Sequence, residues 1–329
     1  MGRRREKNKH LPERMYIKSG SYYFVDITNK WHNLGRDYLK AIALYAKHRG
    51  PDKPIKTVGD LLDRYLLEVS PMKAETTYKG EVRLVKILKA GLGHLIPAHV
   101  SKRTVYAYLD ARKNTPTQAN REYALLSHAF KKGVRWGVVD DNPCLGVEKF
   151  KEKPRNRYVT DEEFAAFHDF VGDPIATYME FKLLTGLRKK DILAIKREHL
   201  TEQGIEVVTS KTGKPIIIAW SEALTEVVER AKRLRCKNQN TLRFSQHLFC
   251  TRKGTAYTPD GFSTNWQRQM NKALELGVLK DRFTEHDIRA KAGSDSKTLS
   301  DASALLGHES TKTTQRSYRR KVTVIKPLR

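Results

Sequence analysis

Hydrophobic positions along this chain change their period as it proceeds, and the changes outline its elements. Near the start, Tyr16-Ile17 and Tyr22-Tyr23-Phe24-Val25-Asp26-Ile27 flank Lys18-Ser19-Gly20-Ser21. Aromatic and β-branched runs on either side of turn-forming residues predict a β-hairpin, with Trp31 to Leu34 as a third short strand. After Asp37 the spacing becomes helical, placing Leu39, Ile42, Ala43 and Ala46 on one face. Helical spacing returns at Val58, Leu61, Leu62, Tyr65 and Leu66, and again at Tyr78, Val82 and Val85 before Gly91 and Gly93. It recurs at Val105, Tyr108 and Leu109 behind a capping Ser101, and at Tyr123, Leu126 and Phe130 towards Gly137. These runs predict a four-helix module.

A further segment opens at Thr160-Asp161-Glu162-Glu163, where Thr160 and Glu163 have capping-box spacing and start a helix. Beyond it, helical stretches surround two strand-like runs, Ile205 to Thr209 and Pro215 to Ala219, joined by Ser210-Lys211-Thr212-Gly213-Lys214. This predicts an exposed hairpin carrying two lysines. The polar stretches Gly50-Pro51-Asp52-Lys53-Pro54 and Glu152-Lys153-Pro154-Arg155-Asn156-Arg157 interrupt the pattern and read as linkers. The expectation is a mainly α chain with small β-sheets in three domains: sheet plus helix at 1–52, helical at 53–152, and mixed α/β at 153–329.

Charge adds a partner to this outline. Lys and Arg total 63 against 37 Asp and Glu, a net +26. Such a chain repels itself unless a polyanion or salt neutralises part of the charge, so nucleic acid is the natural partner. The first 50 residues hold 12 Lys and Arg against 4 Asp and Glu, and a small basic sheet can place strands in a DNA groove. Its aromatic residues serve equally well as core. Arg121, Lys131, Lys132 and Arg135 on the last helix of the helical module point to DNA contact or to a solvated face. Arg3, Arg4 and Arg5 leave open a DNA contact, a targeting signal and a solvated tail.

Cys144, Cys236 and Cys250 are far apart and form no CxxC pair, so they read as reduced thiols rather than a disulfide framework or zinc site. No run resembles a signal peptide or reaches membrane-spanning length, so a cytoplasmic protein without membrane contact is expected.

The candidate chemistry lies in the last segment. GxxxxGK(S/T), GxGxxG and HExxH are absent, which leaves nucleotide and zincin readings without a foothold. His286-Asp287-Ile288-Arg289 places an imidazole and a guanidinium three residues apart, on one face if helical. Alone this is an ordinary surface coincidence. Upstream, Leu183-Leu184-Thr185-Gly186-Leu187-Arg188 leads into a helix with Asp191 three residues on. Downstream, Leu305-Leu306-Gly307-His308 ends an apolar stretch, and Tyr318 follows in Thr313-Thr314-Gln315-Arg316-Ser317-Tyr318. Tyr318 by itself is one of 14 tyrosines and would read as a packed residue of a terminal helix.

Taken in order, Thr-Gly-Leu-Arg, a lysine hairpin, HxxR, LLGH and a C-terminal Tyr resemble the signature of the tyrosine recombinases, also called the phage integrase family. Gly2-Arg3-Arg4-Arg5 with Leu34-Gly35-Arg36-Asp37 is similar to the arm-binding domain of lambda-type integrases, so the resemblance touches all three segments. It implies an arm-type DNA-binding domain at 1–52, a helical core-binding (SAM-like) domain at 53–152 and a catalytic domain at 153–329. Carried over by position, Arg188, Lys211, His286, Arg289 and His308 match the family's active-site basic residues, Tyr318 its nucleophile, and Asp191 an acidic residue supporting the first Arg. Lys214 lies near Lys211, but the Ser-Lys-Thr-Gly context favours Lys211. Tyr318 stands ten residues after His308, one more than the commoner family spacing.

The chemistry explains these residue types. A phosphodiester gains charge as it becomes five-coordinate, and fixed cations bind the developing oxyanions. Planar guanidinium forks at Arg188 and Arg289 suit two phosphate oxygens at once. Tyrosine, with a pKa of about 10, needs nearby positive charge to become a nucleophile. An exposed lysine can protonate the leaving oxygen, and His286 and His308 would add hydrogen bonds and manage protons.

The resemblance implies a 3′-phosphotyrosyl intermediate, no cofactor and no metal. Its implied partners are double-stranded DNA at core and arm attachment sites, three further copies of the chain in a homotetramer, a host bending protein and an excisionase. The expected function is integration and excision of a phage or other mobile element. A Xer-like dimer-resolving recombinase and a DNA-binding protein with an unused catalytic site are the alternatives. A β-branched run after Tyr318, Lys321-Val322-Thr323-Val324-Ile325, has strand character and would pair with a neighbouring protomer.

Overall fold

A computed structural model describes residues 11–12, 14–26, 28–49, 54–234, 245–251 and 253–322. Arg3, Arg4, Arg5, Ile27, most of the first predicted linker, Cys236 and the run from Thr323 onward lie outside them, as do the side chains of Leu39, Ala43 and Ala46. The chain divides into two compact units, Met1–Lys153 and Pro154–Arg329.

The first unit begins with strands β1 (Met15–Lys18), β2 (Ser21–Val25) and β3 (Trp31–Gly35) in an antiparallel sheet of that order. Lys18 pairs with Ser21 across the tight turn. Helix α1 (Tyr38–Arg49) buries Ala41, Ile42 and Tyr45 with Met15, Phe24 and Leu34 in a small hydrophobic cluster.

The helices α2 (Val58–Glu68), α3 (Glu75–Leu92), α4 (Lys102–Ala111) and α5 (Pro116–Arg135) follow, as the spacing predicts. Thr57 caps α2 and Ser101 caps α4, each accepting from the backbone N–H three residues on and so satisfying a donor the helix leaves unpaired. Leu61, Leu62, Tyr65, Val85, Leu88, Val105, Leu126 and Phe130 fill a second hydrophobic cluster.

The second unit carries α6 (Asp161–Phe170), α7 (Asp173–Thr185) and α8 (Lys189–Ala194), then the hairpin β4 (Gly204–Val208) and β5 (Pro215–Ala219). Val208 pairs with Pro215, leaving residues 209–214 as the connecting loop. Next come α9 (Glu222–Arg233), α10 (Pro259–Glu275), α11 (Glu285–Asp295), α12 (Leu299–Leu305) and α13 (Thr311–Ser317). Thr160 and Glu163 form the predicted capping box. The core gathers Phe167, Tyr178, Phe181, Ile192, Ile205, Trp266, Met270, Phe283 and Ile288. Helix α7 packs against both α9 and α11, so it is buried on more than one side. Among the described residues, no helix is long and apolar enough to cross a membrane.

Candidate active site

The site is built at the ends of α7, α11, α12 and α13. Gly186 ends α7 with φ at +60°, a conformation that favours glycine. A Cβ there would also lie 3.1 Å from Leu305 and 3.2 Å from Leu306, so the tight turn is closed to larger residues. The turn delivers Arg188 as the N-cap of α8, half-buried, with no side-chain hydrogen bond or ion pair among the described residues. Its guanidinium is near enough for its charge to act on Arg289 and His308.

Arg289 differs sharply from Arg188. It is 1% exposed, and its guanidinium is committed within the protein. Nη1 donates to the Gly186 carbonyl, and Nη2 donates to Leu306 O at 2.6 Å and to His308 Nε2 at 3.2 Å. Only Nε is buried without a partner. Arg188 therefore keeps its guanidinium uncommitted among the described residues, whereas Arg289 spends most of its donors tying α11 to the turn after α7 and to the end of α12. The reason is burial: carbonyls and donors removed from water must pair with each other.

His308 follows α12 and links Arg289 to α13. Because Arg289 donates to its Nε2, the imidazole accepts there, and Nδ1 carries the proton given to Thr314 Oγ1 at 2.8 Å. Thr314 also accepts from Ser303 Oγ at 2.9 Å. Burial first, then the charges of Arg289, Arg188 and Lys211, push the His308 pKa down to about 4. The ring is held neutral, as its acceptor role requires.

Tyr318 caps the C-terminal end of α13, its N–H bonded to Thr314 O at 2.9 Å. The phenol oxygen lies 3.3 Å from His286 Nε2, and the Arg289 guanidinium sits 5.5 Å from the ring centroid. The His308 ring is 4.8 Å away, centroid to centroid. The ten-residue spacing thus still brings the hydroxyl to the HxxR helix. A Cβ on Gly293 would lie 3.3 Å from Tyr318 Cβ and 2.8 Å from Leu306, so a glycine on α11 permits this close approach. His286 keeps an exposed edge, yet loss of solvent around the ring, followed by the Lys182 ammonium, pushes its pKa down to about 4.

The chain after Tyr318 is docked onto α11. Ser294 Oγ donates to Tyr318 O at 2.6 Å and accepts from Arg320 N at 2.8 Å. Arg319 donates to Ser296 O at 2.6 Å at the helix end, where carbonyls lack intrahelical donors. Arg320 reaches Asp287, which also receives Arg155 at 2.8 Å and caps Thr284.

Asp191 makes no hydrogen bond to Arg188 among the described residues. It is 2% exposed and accepts from Ser210 N at 2.8 Å, beside Lys211, while its second oxygen is buried without a partner. The start of the β4–β5 loop presents that backbone N–H to α8, and pairing there satisfies a donor the strand ladder does not use. Lys211 itself is exposed on the loop, as is Lys214. Lys211 lies near enough for its charge to act on His308.

The expected DNA-contact residues lie elsewhere. Arg36 is exposed after β3; Lys131 and Arg135 are exposed and Lys132 half-buried near the end of α5. Thr314, Ser303, Asp287, Lys182 and Glu285 were not singled out by sequence. Only Lys182 left a signal, a lysine inside the apolar run of α7.

The chain matches the family described as the Phage integrase family over residues 157–323. It is 26% identical over 342 residues to the integrase of Enterobacteria phage 434, covering 94% of each. The structure resembles a lambda integrase dimer bound to a COC′ core site, with a TM-score of 0.70, 21% identity and 99% of each chain covered. It also resembles a lambda integrase tetramer bound to a Holliday junction, with a TM-score of 0.68, 22% identity, 92% of this chain and 97% of that one. Because the family model spans half of the chain, this chain belongs to the phage integrase family and is a tyrosine-type site-specific DNA recombinase.

Proposed function

We propose that this recombinase integrates and excises a phage or other mobile element, with Tyr318 attacking the scissile phosphate to form a 3′-phosphotyrosyl bond. The observation that carries the assignment is the Tyr318 hydroxyl at 3.3 Å from His286 Nε2 with the Arg289 guanidinium beside its ring. His286, neutral, takes the phenolic proton as the Tyr318 oxygen–phosphorus bond forms. The positive charge of Arg289 favours the phenolate. Arg188, without an internal partner among the described residues, grips the non-bridging oxygens, and Arg289 adds its positive charge from the buried side of the site. His308 sets the orientation of Arg289.

As the phosphorus–O5′ bond breaks, Lys211 on its exposed loop protonates the leaving oxygen. Asp191 holds the root of that loop. Attack by a 5′ hydroxyl of the partner strand reverses the step, so bond energy is conserved and no nucleotide cofactor is consumed.

Residues 153–329 act in this reading as the catalytic domain, and residues 53–152 hold the core site through Lys131, Lys132 and Arg135. Residues 1–52 take the arm sites through Arg3, Arg4, Arg5 and Arg36. The net charge of +26 supports an extended DNA interface. A homotetramer is the working assembly, supported by the resemblance to an integrase tetramer on a Holliday junction. A host bending protein and an excisionase complete the set of partners, and the protein works on DNA in the cytoplasm of a bacterial host.

The test is a nicked suicide substrate incubated with the protein and resolved under denaturing conditions. Wild type should give a covalent protein–DNA adduct. Tyr318→Phe should give none while binding the same DNA, and an adduct persisting in that variant would overturn the assignment.

A further inference from the structure

Beneath the active site lies an ion pair with no part in the chemistry proposed above. Lys182, in the last turn of α7, is 0% exposed and its Nζ is 2.6 Å from Oε2 of Glu285, the first residue of α11. The same ammonium donates to Leu187 O at 3.2 Å and to the Tyr178 hydroxyl at 3.4 Å. Tyr178, also fully buried, donates to Glu285 at 3.3 Å. A lysine in this apolar helix must recover a desolvation penalty through its partners, and such a pair adds little stability over apolar side chains of the same volume. Its location is therefore informative.

Leu187 immediately precedes Arg188, and Glu285 immediately precedes His286. Lys182 accepts Gly186 N–H through its own carbonyl at 2.9 Å, so one residue holds the turn at both ends. We propose that Lys182 and Glu285 form a buried positioning clamp that fixes Arg188 and His286 relative to each other. This rests on the reading of those residues and Tyr318 as the cleavage machinery. The Lys182 ammonium also contributes, after loss of solvent, to keeping His286 neutral.

The experiment compares the full chain with the neutral pair Lys182→Met/Glu285→Gln, which keeps the side-chain volumes and an acceptor for Tyr178. Three quantities are measured: thermal midpoint, affinity for a core-site duplex, and single-turnover adduct formation on the suicide substrate. A clamp predicts an affinity within about 2-fold of wild type and adduct formation slower by about 10- to 100-fold, the effect of slightly misplaced groups. Glu285→Gln alone, which leaves the tie to Leu187, should slow adduct formation by about 3- to 10-fold. Adduct formation at the wild-type rate in the folded double variant overturns the clamp. If the double variant does not fold, a wild-type rate in Glu285→Gln does so instead. Absence of an adduct from the wild type would instead overturn the underlying reading, so the two failures are distinguishable.

Discussion

Arg320 donates through Nη1 to Oδ1 of Asp287 at 2.6 Å, tying the segment that carries Tyr318 to the residue that follows His286. Asp287 is 1% exposed and also receives the more exposed Arg155. Tyr318 and the HxxR helix are thus held together by a charge-assisted contact as well as by packing.

Removing one partner should expose the value of that contact. Arg320→Ala should cost about 1–3 kcal/mol in chemical denaturation, the scale of a lost hydrogen bond to a charged group. Burial alone would raise the Asp287 pKa, but Arg155, Thr284 and Arg320 outweigh it and hold the carboxyl below its usual range. A depressed folded pKa gives stability that is present above the unfolded value near 3.9 and is lost as pH falls through the folded pKa. The stability gap between wild type and Asp287→Asn should therefore be widest near neutral pH and narrow below about pH 4. A gap independent of pH would remove the electrostatic role.

His286 and His308 both have pKa values pushed down to about 4. In the unfolded chain they titrate near 6.5, so acid favours unfolding through that window. Stability should be fully present above about pH 6.5 and decline as pH falls towards 4, with the decline smaller in His308→Gln. Urea denaturation at half-unit intervals of pH would measure it. Equal declines in both proteins would show that His308 is not held neutral.

Asp191 should act on cleavage through the loop of Lys211. Asp191→Ala leaves Ser210 N–H without its partner, and adduct formation should slow by about 10-fold, a part of the roughly 10²-fold or more that a general acid contributes. Combined with Lys211→Ala the losses should be less than multiplicative, because the first change already disturbs the second group. Full multiplicativity in single-turnover rates would separate Asp191 from Lys211.

Periodicity gave the four helices α2 to α5 and the β4–β5 hairpin, because each depends on spacing within a few residues. Caps at Ser101 and Thr160 follow from the same local logic. The order of the motifs made Arg188, His286, Arg289, His308 and Tyr318 candidates, although none of them carries that meaning alone.

The unequal use of the two arginines was not legible. Arg188 and Arg289 are identical in type, and only packing leaves one uncommitted and makes the other a buried strut. Likewise, Asp191 stands three residues from Arg188 in sequence, yet its hydrogen bond goes to Ser210, 19 residues away.

By itself, then, the sequence determined the elements of the first unit, the β4–β5 hairpin, the basic character and a set of candidate groups, since these depend on local spacing and residue chemistry. Tertiary structure alone decided which donors remain free, how His308 is protonated, and that Lys182 meets Glu285 and Asp287 meets Arg320. Those outcomes depend on burial and on partners from distant segments, where a polar group removed from water must take whatever partner the fold supplies.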